Sequence, residues 1–179
     1  MEMAMTGRFG QFGDTLTTMA ASAFITWFNF QDSGEATSTG DRLYRPTAEV
    51  FRDLTVLTCA TAPDGTLTAI GLVVARRFIA DEREGAFARD LIKSFIQALN
   101  ARPSAALGGL ADEIFFRDPV GPVLTRGAAP ALPPEPSQGY QVFAKRIAAW
   151  RTRHNGLRLT FTNADDPDRL TIQVHRQEG

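Results

Sequence analysis

Apolar positions along this chain switch between two periods, and the switches mark out its elements. From Leu54 to Ala75 they alternate, interrupted once by Ala62-Pro63-Asp64-Gly65. Proline presets the first turn angle, aspartate suits the second, and glycine accepts the left-handed backbone that closes the loop. The pattern predicts a hairpin over residues 53–76. A three-residue loop between Ala62 and Thr66 sets Leu54 opposite Val74, Val56 opposite Leu72 and Thr58 opposite Ile70. The other face then pairs Thr55, Leu57 and Cys59 with Val73, Gly71 and Ala69. Ala69 to Ala75 carries no polar side chain on either face, so this strand reads as interior to a sheet and covered on both sides.

A helical period follows. Asp81 with Glu84 three residues on matches a capping box, and a helix is expected over 81–100. Its core row is Phe87, Leu91 and Phe95, widened by Ala88, Ile92 and Leu99, and Asn100 and Pro103 end it. Upstream, Leu16, Met19, Ala20, Ala23, Phe24, Trp27 and Phe28 follow one helical face behind Asp14, which predicts a helix over 14–30. A strand competes at its end, because Phe24, Thr26, Phe28 and Phe30 also alternate. The far face (Thr15, Thr18, Ser22, Ile25, Asn29) is polar but uncharged, whereas a solvated helix usually carries charge. That suggests cover by a partner, with Phe24, Trp27 and Phe28 as the candidate interaction surface. An ordinary core helix explains the same spacing. The polar, turn-rich residues 31–47 read as a surface connection.

Tyr140, Phe143, Ile147 and Trp150 predict a third helix over 138–154, with Arg151, Arg153 and His154 in its last turn and Asn155-Gly156 as a left-handed stop. Leu157, Leu159 and Phe161, then Leu170, Ile172 and Val174, alternate around an Asp-rich turn. They predict a second hairpin over 157–176 with one buried face. The stretch 101–136 holds seven of the ten prolines. Within it 111–116 reads as a short strand and 117–136 as a Pro/Gly-rich internal linker. Residues 1–13 read as a flexible arm with Phe9 and Phe12 as anchors. Gly7, Gly10 and Gly13 in that arm lack the preceding strand and the Lys-Ser/Thr of a phosphate loop. The expected whole is a single α+β domain over 1–179, a mainly antiparallel sheet of four to five strands packed with three helices.

Composition narrows the chemistry. The chain has 179 residues, 44% hydrophobic and 22% charged, with formal net charge -1. That balance gives no argument for nucleic acid or an anionic membrane as a partner. One cysteine and two histidines exclude a disulfide framework and a thiolate metal cluster. No cofactor is expected. Cys59 has no histidine near it in sequence and reads as a buried small hydrophobe, and no serine sits in a nucleophile elbow. The acidic turn Asn163, Asp165, Asp166, Asp168 lacks calcium-loop spacing. With no signal peptide read at the start, the cytoplasm is the default compartment.

One polar surface stands out. Setting Thr162 opposite Arg169 places Thr160 opposite Thr171 and Arg158 opposite Gln173, with His175 diagonal to Arg158. Arg158, Arg169, Gln173 and His175 then form a candidate site for an anionic ligand, with Arg151, Arg153 and His154 nearby, although a solvated sheet face explains the same residues. The leading expectation is a non-catalytic α+β protein-interaction module, self-associating through the aromatic N-terminal helix. The alternative is a small-molecule (anionic ligand) binding domain or enzyme using the polar outer face of the C-terminal hairpin. Nucleic acid is disfavoured because that face lacks outward aromatics, and a membrane because the N-terminal helix lacks basic residues.

Overall fold

The computed structural model describes residues 8–102, 138–163 and 166–177. The expected strand at 111–116, the expected linker at 117–136 and the first seven residues of the arm lie outside the described residues. The fold class is α+β, with one antiparallel sheet. Its seven strands are β1 (Phe30–Ala36), β2 (Arg42–Pro46), β3 (Thr55–Thr61), β4 (Leu67–Ala75), β5 (Ala149–His154), β6 (Leu157–Thr162) and β7 (Arg169–Arg176). Their order across the sheet is β1-β2-β3-β4-β7-β6-β5, so two consecutive runs meet at the β4/β7 pair.

Among the described residues the helices are α1 (Leu16–Ala20), α2 (Ala23–Trp27), α3 (Glu49–Arg52), α4 (Arg76–Ala80), α5 (Gly85–Ala98) and α6 (Gln138–Phe143), with a 3-10 turn at Gly10–Phe12. One face of the sheet is apolar without a break. Leu57, Leu72, Val74, Leu159, Phe161, Leu170, Ile172 and Val174 are fully buried, and α5 closes over them with Ala88, Leu91, Ile92, Phe95 and Ile96. Side chains of this size, fully buried, stabilise by roughly 1.5–3 kcal/mol each. Phe12, Phe24 and Phe95 meet at 5.4 to 5.8 Å in tilted and edge-on contacts. Phe9 and Phe12 are fully buried anchors. Gly10, at φ 57, lies so close to the end of α5 that a Cβ there would sit 2.3 Å from the Leu99 carbonyl carbon. Close packing accounts for that glycine.

Four elements depart from the sequence expectation. The helix expected over 14–30 is two five-residue pieces. Thr15 caps the first by accepting from Thr18 N–H, and Ser22 is extended before the second. A run rich in Thr, Ser, Phe and Trp has too little helix propensity to stay continuous. The expected surface connection at 31–47 is the β1–β2 hairpin, tied by Asp32–Arg42 and Glu35–Arg45 ion pairs at 2.9 Å. The helix expected over 138–154 stops at Phe143, Lys145 takes φ 59, and the chain re-enters the sheet as β5. Asn155 and Gly156, both at positive φ, then form the two-residue β5–β6 turn. The helix expected over 81–100 starts only at Gly85. Asp81 instead accepts from the N–H groups of Arg83 and Glu84, which holds its carboxyl below the ordinary range. The sheet therefore has seven strands, above the expected four to five, because the polar β1–β2 hairpin joins it at one edge and β5 at the other.

The central hairpin also differs in register. Ala62 N–H does donate to Thr66 across the expected loop. Thr61 pairs with Leu67, however, and Ala60 with Ala69, leaving Thr68 as a bulge. Leu67 N–H donates to Asp14 O at 2.8 Å, so a distant segment holds the bulge in place. Beyond it Leu57 faces Leu72 and Cys59 faces Ile70. A one-residue slip exchanges faces. Leu57 and Cys59 thus enter the core, while Val56, Thr58 and Ala60 turn to the other side.

Candidate functional site

The outer face of the sheet, away from α5, carries a groove of about 870 Å³. Its floor is made where β3 and β4 present small side chains: Ala60 opposite Ala69, and Thr58 opposite Gly71. Gly71 is buried, and a Cβ on it would come within 2.6 Å of Thr58 Oγ1, so the floor depends on its absence. One wall is a cross-strand row: Arg153 on β5 faces Arg158 on β6, which faces His175 on β7. Strand spacing puts neighbours in that row about 4.8 Å apart. Gln173, two residues from His175 on the same face, brings its Oε1 to 3.2 Å from His175 Nε2. The opposite wall is the β1–β2 turn, where Thr39 Oγ1 donates to Asp41 Oδ2 at 3.2 Å. Burial and the Arg158 charge push the His175 imidazole below its usual range, and Asp41 pulls the other way.

Of the four residues proposed from sequence for this face, Arg158, Gln173 and His175 come together. The hairpin register is two residues from the expected one, with Arg158 directly opposite His175. Arg169 does not join them. It pairs with Ala75 at the far end of β7 and lies 3.4 Å from Asp166, in a separate hollow with Arg76 and Asp168. Arg153 reaches the groove from a strand. His154 points elsewhere, placing Nε2 2.6 Å from Asn100 Oδ1. Asp41, Thr39 and Thr58 were missed, because seeing them required the β1–β2 hairpin and the bulge. The available signal was the charge pattern Asp32, Glu35 against Arg42, Arg45, which suits facing strands.

The second surface is apolar. Trp27 is 76% exposed, Val50 70% and Phe87 41%. Trp27 and Phe87 line one hollow of about 240 Å³ with Phe28, Pro46 and Phe51, and among the described residues no charged one lines it. Phe87 stacks on Phe51 at 5.1 Å and meets Phe28 edge-on at 5.7 Å. Of the surface residues proposed from sequence, Trp27 is fully presented and Phe28 half-buried. Phe24, only 5% exposed, lies in the core beneath them and presents no surface.

Cys59 is 2% exposed, and burial pushes its thiol up to about 11. Among the described residues no three His, Cys, Asp or Glu side chains are grouped as metal ligands. No helix among them is long and apolar enough to cross a membrane. No protein-family model, curated protein or solved structure matches the chain.

Proposed function

We propose that the chain is a non-catalytic association module that pairs with a second copy of itself through the surface around Trp27. The observation that carries this reading is an indole 76% exposed on a hollow that it lines with Phe87, with no charged residue among the described lining. Large apolar side chains gathered on one surface are what association buries, and Trp is the commonest anchor of such contacts. A second copy suits the patch because its described lining has no charge. An uncharged face meets itself across a two-fold axis without like-charge repulsion. Phe24 supports the surface from below by stacking on Phe30 and packing against Phe28.

Light scattering over a concentration series tests this. A dimer that becomes a monomer in Trp27→Asp, with an unchanged melting temperature, supports the reading. The side chain is largely outside the core, so the variant should fold. A wild-type chain that stays monomeric at high concentration, or a dimer that ignores the substitution, overturns it.

A further inference from the structure

The facing pair Arg153 and Arg158 is costly as it stands. Like charges directly opposite on neighbouring strands destabilise a sheet. On β2 and β7 every arginine is ion-paired: Arg42 with Asp32, Arg45 with Glu35, Arg169 with Asp166, and Arg176 with Asp14. Among the described residues, Arg153 and Arg158 have no carboxylate at such a distance. Both are exposed, and both face the groove. The next positions on the floor are Ala69 and Ala60, which leave space where larger side chains would fill it.

We infer that this groove binds a small phosphate monoester, its phosphate held between Arg153 and Arg158 and its hydroxylated body lying over Ala69 and Ala60 toward Asp41. A guanidinium offers a planar fork of N–H donors. Two forks side by side call for more acceptor oxygens than the two of a single carboxylate, and a phosphate monoester supplies three with close to two negative charges. Gln173 and His175 add hydrogen-bonding atoms beside that head group. At the other wall the chemistry reverses, since the Asp41 carboxylate accepts hydrogen bonds and repels anions. The ligand is therefore anionic at one end only, with hydroxyl donors at the other. The site lies on the outer face of β3, β4, β7, β6 and β5 and the β1–β2 turn, and shares no lining residue with the hollow at Trp27, so it stands independently of association there.

Calorimetric titration with ribose 5-phosphate, inorganic phosphate and ribose tests the inference on the full chain. Ribose 5-phosphate should bind more tightly than inorganic phosphate, and ribose alone should not bind measurably. Arg158→Ala, at an exposed position where the fold should survive, should weaken ribose 5-phosphate by about tenfold or more. Asp41→Asn should remove the advantage of the sugar phosphate over inorganic phosphate. Absence of heat from ribose 5-phosphate, or equal affinity in a folded Arg158→Ala, overturns the site. An Asp41→Asn variant that keeps the full preference for the sugar phosphate overturns the placement of its body.

Discussion

His154 Nε2 lies 2.6 Å from Asn100 Oδ1, joining the end of α5 to the turn between β5 and β6. An amide oxygen can only accept, so this contact is a hydrogen bond in the tautomer that carries its proton on Nε2, while Asn155 Nδ2, 3.0 Å from the same nitrogen, suits the other tautomer. The same oxygen accepts from Asn155 Nδ2 at 2.9 Å, and Asn100 Nδ2 donates back to Gln97 O. Burial holds the His154 imidazole below its usual range.

That depression has a sign in stability. Below about pH 6.5 the unfolded chain takes up a proton that the folded His154 resists. Its contribution is complete above that value and is lost as pH falls toward the lowered folded pKa. His175, depressed by burial and by Arg158, acts in the same direction. Urea midpoints should therefore drop between about pH 7.5 and 5.5. The slope should be flatter in His154→Gln, and flatter still when His175→Gln is added. A double variant with the wild-type slope would contradict this assignment.

Gly10 and Gly65 both occupy positive φ, at 57 and 82, yet they should respond differently to alanine. At Gly65 nothing lies within 4 Å of the added methyl, so only the backbone conformation is penalised, by roughly 1–2 kcal/mol. At Gly10 the methyl also strikes the Leu99 carbonyl, and overpacking adds about 1–3 kcal/mol. Denaturant unfolding of the two variants should rank Gly10→Ala clearly lower. Equal losses would mean the Gly10–Leu99 approach relaxes freely.

Cys59 should be inert toward a thiol reagent in the native chain at pH 8 and should react fully in denaturant. With its pKa at about 11, the thiolate is scarcer than in an ordinary cysteine by about a hundredfold or more, and the sulfur is also shielded. Rapid labelling of the folded protein would place Cys59 outside the core.

Phe95 and Phe87 occupy the same helix at unequal depths. Phe95→Ala removes a fully buried ring in contact with Phe12 and Phe24 and should cost about 3–5 kcal/mol. Phe87, 41% exposed, should cost distinctly less. Unfolding midpoints of the two variants measure the difference.

Strict alternation made the apolar strands legible from sequence. Residues 157–162 and 169–176 have one side that must be buried, and no helix could bury it, while 67–75 showed as an apolar run after the Pro-Asp-Gly turn. The α+β class followed from them. The outward placement of Arg158, Gln173 and His175 survived a two-residue error in register, because side chains repeat every two residues. Elsewhere local pattern was ambiguous or silent. Trp150 satisfies both a helical row with Phe143 and Ile147 and a strand row with Thr152 and His154, and Asn-Gly serves as a helix stop or as a hairpin turn. The β1–β2 hairpin buries little and is held by paired charges, so hydrophobic periodicity had nothing to report. The Thr68 bulge is fixed by Asp14, far away in the chain. Asp41 and Thr58 consequently entered the groove unannounced.

The β4/β7 pair joins strands that are remote in sequence, while every other pair in the sheet joins neighbours along the chain. Local hairpins close in microseconds, but this central seam must wait until Ala75 and Arg169 find each other, and the entropy of closing so long a loop slows the search. Until it closes, β4 and β7 are each an unpaired edge lined with Ile70, Leu72 and Val74 or with Leu170, Ile172 and Val174. Such edges pair readily with other chains. The time the two halves spend apart, more than the final stability of the sheet, thus sets how concentrated this protein can be while it folds.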